Sequence, residues 1–148
     1  MARLTLRILI GTTPERVWQI LSDLPSQGEW MVDVRSLEII GGQTSGAGTV
    51  IAVTSELFGL PVVKDRMRIT TWQPPHRYDV VHEGQFTGTG AFIIEAVPSG
   101  SVFTWIEDFR PPLGPLGEIG FSLLVGPHLR RVFTRSMQNV RHLAEASS

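Results

Sequence analysis

The chain is predicted to fold as an α+β protein in which a curved seven-stranded antiparallel sheet wraps around a long C-terminal helix. Three observations predict this: a period-two strand followed by a capped helix at the start, six further strand-like segments joined only by short turns, and an amphipathic helix at the end. The 148 residues, 42% hydrophobic and 18% charged, fit one domain, 1–148, that buries ~70% of its unfolded surface.

At the start, Leu4, Leu6, Ile8 and Ile10 alternate with Thr5, Arg7 and Leu9, as in a strand with one buried face. Thr12-Thr13-Pro14-Glu15 then offers a hydroxyl cap, a proline suited to the first turn, and an acid near the positive end of a helix. Val17, Ile20, Leu21 and Leu24 follow at i, i+3, i+4 and i+7 and give that helix, of about ten residues ending near Asp23 and Pro25, one apolar stripe. Pro25 to Trp30 is too short and broken for a full helix; a turn or short helix there is expected to put Trp30 at the edge of the domain.

Strands are predicted at 34–41, 48–58, 62–73, 77–83, 86–97 and 101–110. Gly41-Gly42 with Ser45-Gly46, Gly59 to Pro61, Pro74-Pro75, Gly84 and Pro98-Ser99-Gly100 supply the turns between them. With no helical pattern between these strands, the sheet is an antiparallel meander and not a set of βαβ crossovers. Pro111-Pro112 closes the last strand, and the glycine-spaced apolar run from Pro115 to Gly126 reads as a kinked or segmented helix. Beyond it, Leu129, Val132, Phe133, Met137, Val140 and Leu143 keep helical spacing, with Arg130, Arg131, Arg135, Gln138 and Arg141 on the other face. The Ala-Glu-Ala-Ser-Ser end is expected to fray.

Composition excludes several functions. A net charge of −1 gives no field for gathering nucleic acid. Without cysteine there is no disulfide or thiolate metal site, and His76, His82, His128 and His142 lie far apart, so neither a metal nor a cofactor is expected. The alternating N-terminus does not read as a signal peptide, and no apolar stretch approaches the ~20 residues of a membrane span. A cytoplasmic protein without stable membrane insertion, monomer or homodimer, is the expectation. Gly88-Thr-Gly90 lacks the third glycine and helix of a dinucleotide loop, and Gly114, Gly117 and Gly120 merely recur every third residue. The arginine face of the last helix reads as a solvated surface before it reads as a site for phospholipid heads or an acidic partner.

A single helix ~10 Å across cannot fill the concave face of such a sheet, so an apolar cavity is expected between them. Strand alternation assigns its walls. Val63, Met67 and Ile69 bring Asp65 inward; Tyr78 and Val80 bring His82; Phe103, Trp105 and Phe109 bring Glu107. Phe86, Phe92, Ile94 and Ala96 share the inner face of their strand with Gly88 and Gly90, which mark either a bulge or a place where a helix or ligand comes close. Trp30, Met67, Ile69, Tyr78, Phe92, Phe103, Trp105, Phe133 and Met137 are the candidate ligand contacts. Trp30 and Trp18 are read either as gates of the cavity mouth or as core residues. Asp65, His82 and Glu107 are the candidate acid/base groups, since burial moves such groups toward neutrality. The competing reading puts each of them at a strand end near water or against an arginine such as Arg16 or Arg77.

Thr-Pro-Glu-Arg-Val-Trp-Gln-Ile-Leu-Ser-Asp-Leu-Pro at 13–25, Glu29-Trp30, Ile69-Thr-Thr-Trp-Gln-Pro-Pro75 and Phe103-Thr-Trp105 before the long helix together resemble the START/Bet v 1-like (SRPBCC) superfamily, in particular its bacterial polyketide cyclase/dehydrase and lipid-transport group. The resemblance runs over nearly the full chain. It implies a helix-grip fold with the first strand beside the last and a cavity for a hydrophobic small molecule such as a lipid, quinone, polyketide or aromatic. The group includes both carriers and aromatase/cyclases and has no universal catalytic triad, so binding or transport leads, a polyketide aromatase/cyclase or dehydratase is the alternative, and an interaction protein with a collapsed cavity is the third reading.

Overall fold

In the computed structural model, which describes residues 2–84, 87–110 and 114–146, the alternating N-terminal segment forms strand β1 (Ala2–Ile10). Helix α1 (Pro14–Leu21) starts as its sequence dictates: Thr13 is extended, its hydroxyl accepts from the Arg16 N–H, and Pro14 occupies a position whose N–H would have had no helical partner. It is slightly shorter than expected because Ser22 closes its backbone on Trp18 O and Pro25 cannot prolong the ladder. Leu24–Glu29 forms a 3₁₀ turn that buries Leu24 and Gln27.

Six more strands follow: β2 (Val34–Ile40), β3 (Val50–Leu57), β4 (Leu60–Gln73), β5 (Arg77–Glu83), β6 (Thr87–Val97) and β7 (Gly100–Arg110). Their order in the sheet is β1-β7-β6-β5-β4-β3-β2, so each consecutive pair from β2 to β7 forms an antiparallel hairpin and β1 closes beside β7. The β6–β7 register runs unbroken from Thr87↔Arg110 to Val97↔Gly100, so Gly88 and Gly90 form no bulge. The irregularities fall instead at Val34/Ser36, Ser55/Leu57 and Ile69/Thr71. At Gly88 the close approach is to the neighbouring strand: φ is 141°, and a Cβ there would lie 1.8 Å from Asp108 O.

The C-terminal segment is helical from Gly114 to Ala146 in three hydrogen-bonding registers: α2 (Gly114–Gly120), a π turn (Phe121–Val125) and α3 (Gly126–Ala146). The π turn carries the Gly126 N–H to Phe121 O. Widening the ladder just ahead of Pro127, which has no N–H to give, keeps the helix continuous where a break would otherwise fall. No helix among the described residues is long and apolar enough to cross a membrane.

Val17 and Leu21 of α1, Met137, Val140 and Ala144 of α3, and Ile10, Ile94 and Phe103 of the sheet form the core. Several expectations are corrected. The chain end does not fray up to Ala146: Ala144 is fully buried, and the Glu145 carboxylate accepts from the Gly11 N–H at 2.7 Å. Trp30 does not sit at an edge; it is 1% exposed and packs on Phe92 and Trp105 at ring separations of 5.9 and 6.2 Å, because Asn139 and Ser136 of α3 bond its carbonyl and the Val32 N–H and pull this segment inward. Ala96 is exposed, one residue from the β6–β7 turn, where the strand leaves the core. Phe86, Pro111 and Pro112 lie outside the described residues.

Candidate functional site

Asp65 on β4, His82 on β5 and Glu107 on β7 all project from the inner face, as period two requires. β6 separates β5 from β7, and the cluster forms only because that strand offers no side chain where they must meet. Gly90 stands opposite Glu107, and a Cβ on it would lie 2.8 Å from Glu107 Oε1. The Glu107 carboxylate therefore reaches across β6.

His82 is held between the two acids. Its Nδ1 lies 2.6 Å from Asp65 Oδ2 and its Nε2 2.7 Å from Glu107 Oε2. Trp105 Nε1–H donates to Glu107 Oε1 at 2.9 Å. Burial by itself would lower the His82 pKa, but the hydrogen bonds and negative charges of Asp65 and Glu107 outweigh it and raise the value to about 10. At neutral pH His82 is thus an imidazolium donating through both nitrogens. The arginines that might have claimed these acids are engaged elsewhere: Arg77 pairs with Asp79 at 2.7 Å, and Arg16 bonds Gln19 and Leu143 O.

The cluster borders a cavity of about 120 Å³ between the sheet and the segment from Phe121 to Phe133. A cavity of ~150 Å³ accommodates benzene, so this one suits a single ring or a short chain. Of the candidate ligand contacts, Met67, Tyr78, Phe92, Trp105 and Phe133 line it, with Trp105 and Phe133 stacked at 4.3 Å. Trp30, Ile69, Phe103 and Met137 do not; they lie behind the wall as solid core. Nor does Trp18, which packs edge-on against Trp72 and Tyr78 at 5.0 and 5.8 Å.

Sequence reasoning missed much of the wall, including its whole β3 side (Ile51, Val53, Ser55, Glu56 and Leu57), for which it assigned no inward face. Phe121, Val125 and Leu129 line the cavity together with Phe133; their four-residue spacing was a usable signal, hidden by Gly126-Pro127 in the middle of it. Asp33 also lines it, and one of its carboxylate oxygens is buried without a hydrogen-bond partner. Burial, reinforced by the nearby charges of Glu107 and Glu56, raises its pKa to about 6. Met31-Val32-Asp33-Val34 has no periodicity that would have placed this acid on a face. Tyr78 accepts from Gln27 Nε2 at 3.0 Å and donates to Leu21 O at 2.9 Å, and burial raises its pKa. The two His82 nitrogens point at different carboxylates, and no group of three or more acids and histidines among the described residues converges as a metal-ligand set.

The model of a protein family described as polyketide cyclase/dehydrase and lipid transport matches residues 1–145. No curated protein matches the sequence significantly. Among solved structures, TTHA0849 from Thermus thermophilus is 19% identical, with a TM-score of 0.80 and 99% of each chain covered. The protein of unknown function SA2116 from Staphylococcus aureus is 9% identical, with a TM-score of 0.74 over 99% of this chain and 94% of its own. The Aha1 dimer from Colwellia psychrerythraea is 15% identical, with a TM-score of 0.68 over 98% and 97%. At these identities the likeness establishes the fold.

Proposed function

The chain belongs to the polyketide cyclase/dehydrase and lipid-transport family, and on that premise we propose that it binds a hydrophobic small molecule in the cavity between the sheet and the C-terminal helix. The observation that carries this reading is the cavity itself, walled by Met67, Phe92, Trp105, Phe121 and Phe133 on ground that the core residues behind it leave unfilled. The apolar part of this wall has contacts left unmade by the void, and a guest that restores them is favoured. Native mass spectrometry of freshly purified protein is expected to show a co-purified hydrophobe that denaturation releases. Bare protein that also fails to take up a hydrophobic dye or a single-ring aromatic would overturn the reading.

A second reading is favoured by one observation: Asp65, His82 and Glu107 share the wall. Such a cluster could move protons on an enolisable guest, with the imidazolium as acid and a carboxylate as base. Binding is favoured over turnover because a proton-transfer histidine works best with a pKa near the working pH, whereas His82 is held at about 10. Asp65→Asn, His82→Gln and Glu107→Gln separate the two. In a carrier they leave the affinity for neutral hydrophobes within a few-fold; in an acid/base enzyme they cut turnover ~10²-fold or more.

A further inference from the structure

The polar part of the cavity wall is one-sided. Among the described residues that line it are four carboxyl groups, Asp33, Glu56, Asp65 and Glu107, against one cationic side chain, His82, and neither lysine nor arginine. Glu56 is paired with Arg35, which lies outside the wall. Asp65 and Glu107 share the single charge of His82. Asp33 has no cation of its own among these contacts, and its like-charged neighbours are Glu56 and Glu107.

Among the described residues, most side-chain hydrogen-bond donors of the wall are engaged, the Ser55 hydroxyl and one N–H of the Gln27 amide being the exceptions. The N–H groups of His82 are committed to Asp65 and Glu107, that of Trp105 to Glu107, and the Tyr78 hydroxyl to Leu21 O. A guest that needs donors, such as a carboxylate or a quinone oxygen, finds these groups already spent, and a carboxylate meets like charge besides. A guest that brings donors and positive charge meets carboxylates. The rest of the wall suits the same guest: Tyr78, Phe92, Trp105 and Phe133 place aromatic rings around the cavity, and ring faces attract a desolvated cation.

Resting on the reading of this cavity as a ligand site, we infer that its preferred ligands are hydrophobic amines: an ammonium group set against the Asp33 and Glu107 end, with a single-ring or short-chain apolar body among Phe92, Trp105, Phe121 and Phe133. The charge pattern rejects fatty acids and other anionic amphiphiles of the same shape.

The test uses three probes of nearly equal size, 2-phenylethylamine, 2-phenylethanol and 3-phenylpropanoate, titrated at pH 8 and followed through the indole N–H resonance of Trp105. At that pH Asp33 is ionised and an alkylammonium remains protonated. The amine is expected to bind at least about tenfold more tightly than the alcohol, with the acid weakest. If the alcohol or the acid binds as tightly as the amine, the amine preference is overturned while hydrophobe binding stands; if none of the three perturbs Trp105, both fall. Asp33→Asn, away from the His82 contacts, is expected to weaken the amine more than the alcohol, and Glu107→Gln to do the same where it folds. An amine preference that survives the substitution at Asp33 and any folded substitution at Glu107 would also overturn the inference, since it would not come from these carboxylates.

Discussion

The two halves of α3 meet one sheet with opposite results. Toward the C-terminus, Met137, Val140 and Ala144 are 2, 0 and 0% exposed and pack with Val17 and Leu21 of α1 and with Phe103 and Ile94 of the sheet. Toward the N-terminus, Leu129 and Phe133, together with Phe121 and Val125 from the preceding turn, face the cavity, while Leu116, Ile119, Leu123 and Leu124 point outward. The difference lies in what backs the helix. The C-terminal half has α1 against it, tied by Arg16 to Leu143 O at 3.3 Å, and the middle is fastened to the chain after the 3₁₀ turn through Ser136 and Asn139. A curved sheet is filled where two elements share its concave face and stays open where one helix crosses alone.

The widest separation between the two regions should appear on truncating their aromatics. Phe103→Ala, in the closed end, is expected to cost about 3–5 kcal/mol in chemical denaturation. Phe121→Ala should cost less than half as much, since its ring already borders empty space and forfeits fewer contacts. Equal losses would mean that the cavity end is packed as tightly as the other.

His82→Gln probes the charged part of the open end. It leaves Asp65 and Glu107 buried without their shared cation, which is expected to cost about 3–5 kcal/mol at neutral pH. Because the folded His82 pKa is raised above its ordinary 6.5 to about 10, the stability it contributes is fully present below pH ~6.5 and is lost as pH rises through ~10. Unfolding curves of the wild type and the variant should therefore converge in that alkaline range.

Asp33 has the opposite consequence for stability at neutral pH. Its folded pKa is also raised, from 3.8 to about 6, but here the rise disfavours the ionised form, so the folded state loses stability as pH climbs through about 6. Asp33→Asn should therefore stabilise the protein at pH 8, by about 3 kcal/mol at most, and change little below pH ~4. Melting temperatures at the two pH values check it. At the small end, Leu123→Ser on the outward face of the π turn is expected to shift stability by no more than ~0.5 kcal/mol, and a larger loss would show that this face is covered.

Much of the site was readable from strand alternation. Period two needs nothing beyond the strand itself, so Asp65, His82 and Glu107 could be assigned to the inner face from their neighbours in sequence. Their meeting could not, because it depends on β6 lying between β5 and β7 and on the register that sets Gly90 against Glu107. For the same reason the competing arginine partners were plausible in sequence and wrong in space. Where the chain had no period, as from Pro25 to Asp33, Trp30 was misplaced and Asp33 went unnoticed.

Element order, strand faces and the amphipathic terminal helix follow from contacts between residues a few positions apart, which is why composition and spacing sufficed for them. The separation of wall from core, the clamping of His82 and the anchoring of the last turn by Gly11 and Glu145, 134 residues apart, depend on contacts across the fold. Backbone propensity and hydrophobic pattern select the elements; only their packing geometry settles which apolar residues touch one another and which are left facing a gap.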